Sequence, residues 1–143
     1  MKQFVIHLGT EQNEILVKIG KELGKHHVDI VSMAGATAFG ICTAILLTNN
    51  EKLTMKALRD INIPFSTQDV LIASLPDEPG AFGHFTQLLL DQGIHLLSFY
   101  AVRFTESQAE YAFSVSETDF EKAQSFLDAS GYLKSSDDRR PRK

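Results

Sequence analysis

The second half of this chain repeats the first at a fixed offset, and that repeat limits the possible folds more than any other feature. Val28-Asp29-Ile30-Val31-Ser32 superimposes on Ile94-His95-Leu96-Leu97-Ser98 at a shift of 66 residues, and the same shift sets Phe4-Val5-Ile6 on Val70-Leu71-Ile72. A chain of 143 residues with this period is two very small domains, because an internal repeat of one supersecondary unit outweighs the size prior for a single domain.

Each copy alternates between strand and helix periodicity. Phe4, Ile6 and Leu8 alternate with Val5 and His7, a period of two that predicts a strand. From Glu11 the period changes: Ile15, Ile19 and Leu23 recur every four residues, which predicts a helix stopping near Gly24. Val28 to Met33 and Gly40 to Leu47 read as two strands, with Gly35, Ala36 and Thr37 as their connection. Thr48-Asn49-Asn50-Glu51 has the form of a capping box before a helix bearing Leu53, Ala57 and Ile61. Pro64 ends that helix, and a short strand around Phe65 follows. The second copy gives Val70 to Leu75 as strand, then Gly80 to Gln92 as helix with Phe82, Phe85 and Leu89 inward. Ile94 to Phe104 and Glu110 to Ser116 are its next two strands, and Thr118-Asp119-Phe120-Glu121 is its capping box, opening a helix with Ala123 and Leu127. The two boxes lie 70 residues apart, which implies about four extra residues near Thr105 to Gln108.

A split βαβ unit used twice gives a four-stranded antiparallel sheet with both helices on one face. The expected class is therefore α+β: two tandem ferredoxin-like βαββαβ domains, residues 1–68 and 69–135, with their sheets packed side by side. Residues 136–143 form a basic tail expected to be disordered. Domains this small bury too little surface to be robust alone, and the weakly charged strands Val28 to Met33 and Ile94 to Phe104 fall at sheet edges, so homodimerisation by edge pairing is expected.

The remaining composition narrows the function. A net charge of −4 and a pI near 5.7 disfavour a surface built to neutralise phosphates, and Phe99, Tyr100 and Phe104 are too few to stack bases, so nucleic acid is not an expected partner. The single cysteine, Cys42, makes no internal disulfide, and Met1 to Leu8 is too short for a signal core or a membrane span; a cytoplasmic location follows. His26 and His27 are adjacent near a helix end and do not converge as ligands. His84 reads as an outer-face residue, and His7 and His95 as strand residues. No catalytic set, metal site or cofactor emerges.

The segment that can carry binding chemistry is Pro76-Asp77-Glu78-Pro79-Gly80-Ala81-Phe82. Pro79 suits a helix start, Gly80 lets a ligand approach the amides of Gly80, Ala81 and Phe82, and the helix dipole there favours an anion. Asp77 or Glu78 can meet an ammonium group, so the two ends of an amino acid would both be recognised; the plainer role of both acids is to stabilise the helix N-terminus. The matching loop of the first copy, Thr10-Glu11-Gln12-Asn13-Glu14, carries Asn13 in place of Pro79 and Glu14 in place of Gly80, and its two glutamates repel an anion.

At these residues the chain resembles the ACT family of amino-acid-sensing regulatory domains, whose loop pattern Asp-x-Pro-Gly-x-φ is similar to Asp77-Glu78-Pro79-Gly80-Ala81-Phe82. The first half resembles a degenerate ACT copy through Ser32-Met33-Ala34 and Phe39-Gly40-Ile41, and the likeness spans roughly residues 1 to 135. The resemblance implies a regulatory binding module that is not itself an enzyme, with an amino acid held at an interface between ACT domains. The loop would face an edge strand carrying Ser32, Met33 and Ala34, or Ser98 to Ala101 with Tyr100 among them. A regulated enzyme or regulator is the implied partner. The alternatives are a structural or interaction protein of the same fold, and an enzyme subunit that needs a partner to complete its chemistry.

Overall fold

The computed structural model describes residues 1–133; the basic tail lies outside the described residues. The chain divides into two compact units, Met1–Gln68 and the residues from Asp69 onward. Unit 1 runs β1 (Lys2–His7), α1 (Gln12–Lys25), β2 (Ile30–Ala38), β3 (Ile41–Thr48), α2 (Glu51–Asp60) and β4 (Ser66–Asp69). Its sheet has the order β2-β3-β1-β4, with β3 antiparallel to both of its neighbours, which leaves β2 at one edge. Phe4, Ile6 and Leu8 point to one side and are at most 2% exposed, buried against Ile19 and Leu23 of α1 and Ala57 and Leu58 of α2. Each large aliphatic side chain so buried contributes roughly 1.5–3 kcal/mol, which fixes the helices on that face.

Unit 2 runs β5 (Leu71–Pro76), α3 (Ala81–Asp91), β6 (Leu96–Phe104), β7 (Gln108–Val115) and α4 (Glu117–Ala129). Its antiparallel sheet has the order β5-β7-β6. Phe85 of α3 packs edge-on against Phe113 of β7 and Tyr132, with centroids 5.7 and 5.4 Å apart. Among the described residues the expected fourth strand is reduced to one bridge, Ala73 to Leu133, with Ser74 N–H donating to Tyr132 O. Among the described residues the unit is βαββα closed by this bridge, a βαββαβ-like order whose last strand falls where the described residues end.

Three local expectations are corrected. Gly35, Ala36 and Thr37 lie inside β2, and the hairpin turns two residues later at Phe39-Gly40, whose φ of 51° and 75° are the paired positive values of a type I′ turn. Thr48 does not cap α2; it ends β3, buried, with its hydroxyl 2.7 Å from that of Thr54, and the cap is Asn50, which accepts from Leu53 N–H. Likewise Ser116, and not Thr118, caps α4 by accepting from Asp119 N–H. Asn50 and Ser116 are 66 positions apart, so the helix caps keep the offset, while Leu46 of β3 and Phe113 of β7, which pair with Met33 and Phe99, correspond one position further on. The β6–β7 loop is only one residue longer than its counterpart, and two irregularities of register in β6 take up local slack.

The four helices among the described residues stop in the same way. His27, Asn62, Gly93 and Gly131 take positive φ, and the next residue in each case (Val28, Ile63, Ile94, Tyr132) donates its N–H back to Leu23, Leu58, Leu89 or Leu127. This left-handed stop satisfies orphan carbonyls and folds an apolar residue under the last turn. None of the helices is long and apolar enough to cross a membrane among the described residues.

Candidate functional site

Residues 77–80 form an exposed turn between β5 and α3, and Ala81 and Phe82, half-buried, are the first two residues of the helix. Gly80 is the N-cap of α3 with φ 89°, and a Cβ built there would meet nothing within 4 Å. An L side chain is strained in that conformation, which accounts for glycine. Pro79 directly precedes the cap, at the helix start to which the sequence assigns it, and the helix itself begins at Ala81, one residue after the expected Gly80. Asp77 N–H donates to Ser107 O and Glu78 N–H to Pro76 O, which ties the turn to the β6–β7 loop. The Ala81 amide, expected to be open, donates to Glu78 O at 3.2 Å and is the weakest of the three proposed anion donors. Phe82 turns inward as predicted, with its ring 5.4 Å from Phe99 and 5.3 Å from Tyr111.

The edge-strand candidates divide between two faces. Met33 pairs in register with Leu46 of the core, so it lies on the helix side, whereas Ser32 and Ala34 alternate to the other side opposite Leu47 and Ile45. In unit 2, Phe99 is the helix-side residue, and Ser98 and Tyr100 point away from the helices. The Ser98 hydroxyl is 2.6 Å from that of Ser114, and Tyr100 is 7% exposed. Burial pushes the Tyr100 phenol above its ordinary range. A folded-state pKa raised in this way stabilises the fold fully at pH values below the unfolded tyrosine pKa. That stability is lost as pH rises beyond it. In an alkaline absorbance titration of the native protein, Tyr100 should therefore ionise only with unfolding, and Tyr100→Phe should remove that late step. A substitution that instead removes one tyrosine from the ordinary native titration, before unfolding, would count against this burial.

A concavity that the sequence did not reveal lies in unit 1. A cavity of about 370 Å³ opens between the start of α1 and the β2–β3 hairpin, floored by Leu8, Leu16, Met33, Cys42 and Ala44. Gln12 and Asn13 supply polar groups at its helix end, and Thr37 Oγ1 donates to Gln12 Oε1 at 3.4 Å. Its origin is visible across the repeat. Leu16, Met33 and Ala44 line the open space, and their counterparts Phe82, Phe99 and Tyr111 are the three rings packed together in unit 2. The signal that could have found it is this size difference at matched positions; no motif marks it.

The fold recurs in solved structures. Protein BT0572 from Bacteroides thetaiotaomicron is similar at 20% identity with a TM-score of 0.80, covering 92% of this chain and 89% of that one. The regulatory subunit of aspartate kinase from Thermus thermophilus, in its ligand-free form, is similar at 12% identity and a TM-score of 0.68, covering 91% and 89%. Its counterpart from Thermus flavus gives 13% identity and a TM-score of 0.62, covering 91% and 89%. The chain shares their fold. At such identities the likeness speaks for architecture alone, and no family model and no curated protein matches the sequence.

Proposed function

We propose that the chain is a non-catalytic regulatory module of the ACT type, with two ACT domains at residues 1–68 and 69–135, that binds an amino acid or a closely related small molecule. The observation that carries this reading is the Gly80 turn: a left-handed glycine at a helix start, open to an incoming group, with Asp77 and Glu78 beside it. A helix N-terminus attracts a carboxylate, and the two acids suit an ammonium group. The regulatory subunits of aspartate kinase that share the fold support a regulatory role. The module acts as a homodimer paired through an edge strand, β2 or β6, and transmits occupancy to an enzyme or regulator by binding one conformation better than another.

The unit 1 cavity favours a second location for the same ligand class. It has a volume of about 370 Å³ and an apolar floor, with polar groups at a helix start. Calorimetric titration of the full chain with the common amino acids tests both. Gly80→Asn keeps the left-handed backbone but puts a side chain over the turn, and should weaken binding by roughly tenfold or more, about 1.4 kcal/mol. Met33→Trp fills the cavity and should leave that affinity unchanged. The reverse pattern moves the site to unit 1, and a chain that binds no amino acid sinks the sensor reading.

A further inference from the structure

We propose that Glu22, His26 and Asp60 form a binding site for a divalent transition-metal ion of the zinc class, held between the C-terminal ends of α1 and α2. Glu22 in the last turn of α1 and His26, the C-cap that follows it, have the i, i+4 spacing that lets two side chains chelate one ion, and Asp60 closes the group as the last residue of α2. One ligand atom from each lies within 4.8 Å of the other two, and this is the one such group found among the described residues.

The spacing suits a metal better than direct hydrogen bonds. His26 Nε2 is 3.5 Å from Glu22 Oε1 and 3.6 Å from Asp60 Oδ2, beyond the usual N–H···O range. Zinc bonds near 2.1 Å at tetrahedral angles separate neighbouring ligand atoms by roughly 3.4 Å, which both His26–carboxylate distances already match. Three protein ligands leave a fourth position for water. The Glu22 and His26 side chains are only 12% and 21% exposed, which shelters the site on one side.

The location calls for a cation. Two carboxylates sit at helix C-termini, the ends where the dipole disfavours negative charge. Lys25 on Glu22 and Lys56 on Asp60 now answer that charge. One dication replaces two ammonium groups without changing the local charge. The lysine side chains, 71% and 58% exposed, can swing into water at little cost.

The test is titration of the full chain with Zn²⁺ against a chromogenic chelator, together with the visible spectrum of the Co²⁺ form. One equivalent should bind in the micromolar range, and Co²⁺ should give intense tetrahedral absorption. His26→Gln and Asp60→Asn should each lose roughly tenfold or more in affinity, whereas His27→Gly, a neighbour in the left-handed stop, should keep it. No stoichiometric zinc, or binding that both substitutions leave intact, overturns the site. If His26→Gln does not fold, Asp60→Asn and the wild-type Co²⁺ spectrum decide, and an octahedral Co²⁺ spectrum overturns it.

Discussion

Phe85→Ala should lower the stability of unit 2 by about 3–5 kcal/mol, the range for truncating a large buried aromatic side chain. Phe85 is 1% exposed, and its ring is clasped edge-on between Phe113 on the sheet and Tyr132 beyond α4. Removing it takes away area buried from water and two aromatic contacts together, and it opens a void between helix and sheet that Leu89 and Leu127, both fully packed, cannot close. Chemical denaturation followed by circular dichroism measures the loss. A change under about 1 kcal/mol, the scale of an ordinary surface substitution, would mean that this core is not packed as described.

The second large effect is expected at the Arg103–Glu110 pair. These residues face each other across β6 and β7, with Nη2 2.7 Å from Oε1, and the Glu110 side chain is 6% exposed against 38% for Arg103. Arg103→Met strips the guanidinium from a buried carboxylate and should cost about 1–3 kcal/mol; the half-open arginine keeps the figure below that of a fully sealed pair. Adding Glu110→Leu should recover most of the loss, because two apolar side chains remove the buried charge. A double substitution as unstable as the single one would show that the loss does not come from the stranded carboxylate.

The elements legible in the sequence are those whose signal is periodic. Ile15, Ile19 and Leu23 predict α1, and Phe82, Phe85 and Leu89 predict the inward face of α3, because a 3.6-residue repeat leaves few other placements. Features set by single backbone angles are hidden. Phe39 carries no sign that it adopts φ 51°, so the sequence points to a hairpin at Gly35 to Thr37, where glycine and small residues suggest a turn. The caps are displaced for a related reason: Thr48 and Thr118 fit a capping pattern, but Thr48 is drawn into the sheet and Asn50 lies nearer the helix. The Gly80 turn is readable because a glycine directly after proline, at the point where helical periodicity begins, serves either a positive φ or a close approach to the backbone. The unit 1 cavity is not, since it exists only where Leu16, Met33 and Ala44 meet in three dimensions.

Cys42 gives that cavity an unplanned property. The only sulfhydryl in the chain forms part of the cavity wall, on a residue 7% accessible to solvent. A small alkylating reagent must pass through the same mouth as any occupant, so the pace of its labelling is a tally of vacancy, and unit 2, having no thiol, stays silent throughout.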